Sequence, residues 1–120
     1  MNHIQWRITN NVADITAASC PNEIRKDVAR LFGWDKMGRP LVTVLAGRHD
    51  KNNRDIGEIF AFIVWLLDST IKESNPETET LSIVFDLSSF SLRCMDFEAV
   101  KLLIDILQAN YPEVRLKYVI

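Results

Sequence analysis

Short apolar runs rich in β-branched residues alternate with amphipathic helical segments, and this alternation limits the possible folds more than any other feature. Leu41–Ala46, Thr80–Asp86 and Val114–Ile120 have the composition of buried strands. Between them, Ile56–Ile71 and the segment that follows Asp96 carry apolar residues at helical spacing. Strands separated by helices of this length usually pair in parallel through right-handed crossovers. The pattern therefore predicts an α/β fold in which N-terminal helices precede a β-α-β-α-β unit of a mainly parallel sheet.

Two helical segments are predicted before the first strand. In the first, Trp6 and Arg7 lie to one side of a stripe of apolar residues spaced by three and four. Asn22 is suited to cap a second helix, Glu23–Phe32, which Gly33 would end by adopting a positive φ. The stripe of the first helix consists of Ile4, Ile8, Val12 and Ile15.

The segment Ile56–Ile71 is apolar on nearly every side. A helix of this kind must be buried on two sides, by protein, by a ligand or by a partner. Burial in a protein core is the more common case, but the second side still needs an occupant. One stripe contains Ile56, Ile59, Phe60, Ile63, Leu67 and Ile71, and the other side contains Phe62, Val64, Trp65 and Leu66. In the helix after Asp96, the residues expected to face inward are Phe97, Val100, Leu103, Ile104 and Leu107.

Size and composition indicate one ordinary globular domain. The chain has 120 residues, 48% of them hydrophobic, and a formal net charge of −2 without a basic stripe, so nucleic acid is not an expected partner. Cys20 and Cys94 are interpreted as reduced thiols of a cytoplasmic protein. The longest apolar run, Ile59–Leu67, is about half of the ~20 residues that span a bilayer. We therefore expect that the chain does not cross a membrane.

The position of the last strand predicts an incomplete sequence. Nothing after Ile120 covers the edge that this strand would expose, and the pattern indicates three strands at most. A truncated gene model or a subclone is the simplest explanation. A natural short form that a partner completes is the alternative.

Catalytic chemistry finds little support in the sequence. Asp86 follows a strand, where α/β folds place ligands, but it is interpreted as a turn-forming carboxylate, and Asp96 as a helix cap. Ser88, Ser89 and Ser91 lack the Gly-x-Ser-x-Gly elbow, and both histidines are remote in sequence from them. No metal-ligand spacing or phosphate-binding loop is present. We therefore expect no catalytic residues, metal or cofactor, and no enzymatic activity; phosphoryl transfer through Asp86 is a weaker hypothesis.

Residues 33–40 resemble the CRAL-TRIO lipid-binding family, which includes the fungal phosphatidylinositol-transfer proteins. The family pattern Gly-x-Asp-x-x-Gly-Arg-Pro is matched at Gly33, Asp35, Gly38, Arg39 and Pro40. Arg39 is interpreted as a structural charge that holds this turn.

Further similarities follow in the family's order along nearly the whole chain. Trp6-Arg7 resembles the end of the family's N-terminal helical region, and Ile63–Asp68 resembles its helix after the first strand. The run Ile83–Leu87 is similar to the family's central strand and Asp-Leu turn, which places Asp86 in a structural motif. Tyr111 and Pro112 match its Tyr-Pro-Glu break.

The resemblance implies that the intact parent protein binds and transfers a phospholipid or another hydrophobic small ligand at a transient membrane contact. Residues 1–32 would end the N-terminal helical region, and 33–120 would form the N-terminal half of the lipid-binding domain. Leu67 occupies the place where some members hold choline with tyrosine, so phosphatidylinositol is expected rather than phosphatidylcholine. The oligomeric state is not indicated. The candidate pocket-lining residues are Ile59, Phe60, Ile63, Leu67, Val84 and Phe85.

A small regulatory interaction module of the STAS type is the alternative. Its pattern of strand, Asp-Leu-Ser, a second Asp and a helix is similar to Ile83–Leu103. Such modules usually carry a phosphorylatable serine after the second aspartate, whereas Phe97 follows Asp96 here.

Overall fold

A four-stranded sheet in the order β1-β2-β3-β4 forms the centre of the molecule. β2, β3 and β4 are parallel, and β1 runs antiparallel to β2 at one edge. The computed structural model describes residues 3–36, 38–72, 81–110 and 115–119. The helices and strands are α1 (His3–Thr9), α2 (Pro21–Lys26), β1 (Ala29–Trp34), β2 (Pro40–Leu45), α3 (Ile56–Lys72), β3 (Ser82–Asp86), α4 (Phe97–Asn110) and β4 (Arg115–Val119).

The crossover helices α3 and α4 lie on the same face of the sheet. Each parallel strand pairs with the next one along the chain, so two right-handed crossovers place both helices on one side. This arrangement confirms the predicted α/β class with a β-α-β-α-β unit. In the described part of the chain, no helix has both the length and the apolar composition needed to cross a bilayer.

The hydrophobic core lies between this face and the two crossover helices. Burying one valine, leucine or isoleucine side chain contributes about 1.5–3 kcal/mol, so the contacts of this core hold the helices on the sheet. The buried residues of this cluster are Val12, Val42, Val64, Leu67, Leu81, Ile83, Ile106 and Leu107. Both cysteines are free and buried.

The predicted helix Glu23–Phe32 is wrong in its second half. α2 ends at Lys26, Asp27 adopts a left-handed conformation with φ 52°, and β1 begins at Ala29. Leu31 pairs with Val42, so strand pairing overrides the local helical spacing. Among the described residues the sheet therefore has four strands, where the sequence pattern indicated three at most.

Gly33 has the expected positive φ, +84°, but it does not end a helix as predicted. It lies inside β1, where the register with β2 shifts between Leu31 and Trp34. A residue with a side chain would be strained in this conformation. The predicted domain boundary between residues 32 and 33 falls within the same strand, and the division itself stays a prediction.

The N-terminal helix turns its other side inward. Ile4 and Ile8 are 70% and 72% exposed, whereas the Trp6 ring centroid lies 5.8 Å from that of Phe60. Arg7 donates hydrogen bonds of 2.8 and 2.9 Å to the carboxylate of Asp68. The predicted stripe is wrong for α1 because contacts with α3, rather than apolar spacing, decide which side is buried.

Candidate functional site

An apolar cavity of about 400 Å³ lies between the sheet and the crossover helices. Its floor comes from alternate residues of adjacent parallel strands, which point to one face. Val42 pairs with Ile83, and Val44 pairs with Phe85, so these four side chains form two neighbouring rows.

Helix α3 forms one wall of the cavity. Its lining residues recur at helical spacing, which places them on one side of the helix: Ile59, Phe62, Ile63, Leu66 and Leu67. The opposite side packs against the N-terminal region, where Phe60 meets Trp6 and Ala61 packs with Cys20. A cavity on one side and protein on the other explain why α3 is apolar nearly all round.

Helix α4 forms a second, more open wall. Phe97, Val100 and Leu103 line the cavity, but Phe97 and Val100 are 77% and 53% exposed. The predicted inward face of α4 is therefore not buried at Phe97 and Val100, which border the cavity, and it is wrong at Ile104, which is 43% exposed and does not line the cavity. Leu107 is buried as predicted, and Ile106 is buried beside it. The apolar side of α4 thus lies along the open side of the cavity.

The six candidate lining residues divide into two groups. Ile59, Ile63, Leu67 and Phe85 lie together in the cavity wall. Phe60 packs instead against Trp6. Val84 alternates to the opposite face of β3 from Phe85.

A polar cluster borders the cavity near the carboxyl ends of β2 and β3. His49 and Asp96 both line the cavity, and His49 Nε2 lies 2.8 Å from Asp96 Oδ2. Arg54 donates to both carboxylate oxygens of Asp96, at 2.9 and 3.2 Å, and to Glu98 at 3.3 Å. Asp96 also accepts the backbone N–H of Ala99 at 3.1 Å, which confirms its predicted role as a helix cap.

The electrostatics of this cluster favour an ionised Asp96. Burial opposes its negative charge, but hydrogen bonds from Arg54 and His49 outweigh burial and lower its pKa to about 2. The same hydrogen bond raises the pKa of Arg54. The sequence did not identify His49 as a partner of Asp96. The available signal was that both residues follow the carboxyl ends of neighbouring parallel strands.

The loops at this end of the sheet pack closely on each other. A Cβ added to Gly47 would lie 2.6 Å from both Cβ and the carbonyl oxygen of Ser89, so only glycine fits there. Cys94 Sγ lies 3.5 Å from the carbonyl oxygen of Gly47. Asp86 accepts the backbone N–H of Ser88 at 3.0 Å, and this hydrogen bond lowers the pKa of Asp86. The contact agrees with its interpretation as a turn-forming residue.

The glycine-rich motif lies at the opposite, amino-terminal end of β2. Arg39 Nε donates to Asp35 Oδ2 at 2.7 Å, and the Arg39 backbone N–H donates to Asp35 Oδ1 at 2.9 Å. Ser82 at the start of β3 donates to Asp35 Oδ2 at 3.0 Å. Gly38 has φ +79°, and Pro40 begins β2. The motif is therefore structural and ties two strands together, while Tyr111 and Pro112 lie outside the described residues.

The site is an apolar cavity, and the side chains considered for catalysis have other contacts or lie at the surface. Ser91 Oγ lies 3.7 Å from Cys94 Sγ, and Ser88 and Ser89 are exposed. His49 is committed to Asp96 through Nε2. Within the described ranges, no three histidine, cysteine or acidic residues form a group that could hold a metal.

The comparisons with known proteins agree on one family. The family model of the CRAL/TRIO domain matches residues 24–120. The chain is 28% identical over 122 residues to CRAL-TRIO domain-containing protein C3H8.02 of Schizosaccharomyces pombe, an alignment that covers 94% of this chain and 28% of the relative. It is 33% identical over 85 residues to phosphatidylinositol transfer protein CSR1 of Eremothecium gossypii, covering 71% of this chain and 20% of that protein.

The fold is also similar to that in the crystal structure of Sfh5. The TM-score is 0.63 at 19% identity, and the match covers 94% of this chain and 44% of the Sfh5 chain. The chain thus spans about a quarter of the length of one curated relative and a fifth of the other.

Proposed function

Since this chain belongs to the CRAL/TRIO domain family, we propose that its cavity binds the hydrocarbon part of a lipid and that the parent protein transfers lipid between membranes. The observation that carries the proposal is the apolar cavity of about 400 Å³ over the sheet. Lipid chains need such a continuous apolar surface with few polar groups. The family assignment contradicts the STAS-type alternative.

Phosphatidylinositol is the lipid that we propose for the parent protein. The support is the relative that is named as a phosphatidylinositol transfer protein and is 33% identical over 85 residues. Residues 33–120 would then form the N-terminal half of the lipid-binding domain. A cytoplasmic location with peripheral membrane contact would follow from this activity.

The proposed lining includes four of the residues expected from the sequence, Ile59, Ile63, Leu67 and Phe85. Val100 on α4 extends this surface toward the open side of the cavity. Because Val100 is 53% exposed, a larger side chain fits at this position without disturbing the core.

A tryptophan at position 100 tests the proposal. We expect Val100→Trp to occupy the cavity and to lower lipid binding about tenfold, the change that moderate overpacking of a binding site produces. The readouts are native mass spectrometry of bound lipid and transfer of pyrene-labelled phosphatidylinositol between phosphatidylcholine vesicles. Competition between phosphatidylinositol and phosphatidylcholine tests the headgroup separately.

Ile104→Trp is the matched control. Ile104 is 43% exposed on the same helix but is not among the residues that line the cavity. This variant should bind lipid like the unmodified chain. An equal loss of lipid binding in both variants, or no bound lipid in the unmodified chain, would contradict the proposal.

A further inference from the structure

The polar groups of the cavity wall are almost all occupied by partners within the protein. In the described part of the chain, the lining residues with charged or imidazole side chains are Glu23, His49 and Asp96. Glu23 accepts a hydrogen bond from Lys26 at 3.2 Å. Asp96 receives hydrogen bonds on both oxygens from Arg54, and the remaining contacts come from His49 and Ala99.

His49 is different because only one of its ring nitrogens has a hydrogen-bond partner among the described residues. Nε2 lies 2.8 Å from Asp96 Oδ2, and an ionised carboxylate only accepts hydrogen bonds. Nε2 must therefore carry a proton and donate it. In the neutral ring this tautomer leaves Nδ1 as a hydrogen-bond acceptor. The side chain is 14% exposed and borders the cavity, and Nδ1 is not among the described polar atoms that are both fully buried and unpaired, so water can reach it when no ligand covers it.

We propose that His49 Nδ1 accepts a hydrogen bond from a hydroxyl group of the bound lipid and thereby selects hydroxyl-bearing lipids. The inference rests on the proposed lipid binding and adds the ligand's polar group to it. An apolar ligand would displace water from this acceptor without giving it a new partner, which is unfavourable.

The surrounding charges favour a neutral hydroxyl over an anionic phosphate. Asp96 is 2.8 Å from the same ring, and Glu98 lies beside Arg54 at 3.3 Å. The positive charge of Arg54 is directed to these two carboxylates. A phosphate at Nδ1 would meet an acceptor atom and negative charge nearby, whereas a hydroxyl supplies the donor that the site lacks.

Several lipids supply a suitable hydroxyl, and matched probes distinguish them. Cholesterol is compared with 5α-cholestane, 1,2-dioleoylglycerol with its 3-acetyl derivative, and phosphatidylinositol with phosphatidylcholine. Each probe is presented to the full chain in neutral vesicles, and bound lipid is measured by mass spectrometry. The unmodified chain should prefer the hydroxyl-bearing member of at least one pair.

His49→Gln separates ligand binding from a structural role. The glutamine amide N–H₂ can replace the Nε2 donor to Asp96 but supplies no acceptor at the position of Nδ1. We expect this variant to lose the preference for the hydroxyl roughly fivefold, the effect of one ordinary hydrogen bond. Binding of the hydroxyl-free member should change less than binding of the hydroxyl-bearing member.

A second measurement does not depend on the variant. The chain has two histidines, so ¹⁵N NMR of the unmodified protein resolves the His49 ring, with His3→Gln used for assignment. Adding the preferred hydroxyl-bearing lipid should shift the Nδ1 resonance, and its hydroxyl-free partner should not. Lipid binding with no hydroxyl preference, or with such a preference but no Nδ1 shift, would overturn this inference alone. If the chain binds none of the probes, the proposed function is overturned as well.

Discussion

At the scale of single residues, Asp96 connects the parts of the molecule that meet at the polar end of the cavity. It caps α4 through Ala99 and pairs with His49 and Arg54 from the segment between β2 and α3. Its side chain is 5% exposed, so solvent screens these interactions only weakly. One carboxylate therefore fixes both the start of the α4 wall and the orientation of His49.

The charge of Asp96 should make stability depend on acidity. Its pKa is about 2 in the folded chain against an ordinary value of 3.8, so its contribution is present above pH ~4 and is lost as the pH falls through 2. Asp96→Asn should cost about 2 kcal/mol at neutral pH and flatten this dependence, because asparagine keeps the cap but not the charge. Urea denaturation between pH 2 and pH 7 measures both effects.

Asp105→Asn is the control for this experiment. Asp105 pairs with Lys101 on the exposed side of α4, and such pairs contribute less than about 1 kcal/mol. An equal loss in both variants would show that Asp96 contributes no more than a surface charge.

Gly47 shows how a single backbone position limits the loop packing. An added Cβ would meet backbone atoms of Ser89 at 2.6 and 2.7 Å, and backbone cannot move aside as a flexible side chain can. Gly47→Ala should lower the free energy of unfolding by about 1–3 kcal/mol.

The control is Gly57→Ala, where the new Cβ meets only a carboxylate oxygen of Asp55 at 3.2 Å. Its unfolding free energy should change by less than about 1 kcal/mol, since alanine also favours the helix. Chemical denaturation of both variants provides the comparison. An unchanged free energy of unfolding in Gly47→Ala would contradict the close packing of the two loops.

At the scale of elements, the sequence predicted those segments whose pattern and environment agree. α3 and β3 appear close to their predicted positions because periodicity and burial point the same way. β1 was missed because its strand conformation depends on pairing with β2, a contact between distant residues that local spacing does not reveal. α4 was predicted as a helix with a fully buried face, but part of that face lines an open cavity.

The site shows the same division between local and non-local information. The apolar wall of α3 follows from its two-sided pattern, and the turn around Asp35 follows from its motif. The pairing of His49 with Asp96 joins residues 47 positions apart and depends on the parallel register of β2 and β3. The separation of such residues along the chain does not reveal how far apart they lie in the fold.

The turn between β1 and β2 gives a prediction at this scale. Asp35 accepts hydrogen bonds from both the backbone and the side chain of Arg39 and from Ser82 on β3. Asp35→Ala should cost about 3–5 kcal/mol, the usual effect of removing one member of a largely buried ion pair.

A double-mutant cycle with Arg39→Ala separates the pair from the rest of the turn. The coupling energy should be about 0.5–3 kcal/mol, because the two residues share one hydrogen-bond network. Additive effects of the two substitutions, measured by urea denaturation, would show that the ion pair does not hold the turn.

At the scale of the whole molecule, the two ends of the sheet differ in what holds them. The amino-terminal ends of β2 and β3 are joined by Asp35, Arg39 and Ser82. Their carboxyl-terminal ends lead to the loops that Asp96 and Gly47 bring together. Between these ends the floor of the cavity presents apolar side chains.

The length of the strands in this floor can be compared with the length of a lipid tail. β2 has six residues, and at about 3.3 Å per residue it extends roughly 20 Å. One leaflet of a bilayer has a hydrocarbon depth of about 15 Å, half of the ~30 Å core. A hydrocarbon tail bound as we propose would therefore lie along the strands, starting near His49 and crossing Val44 and Val42.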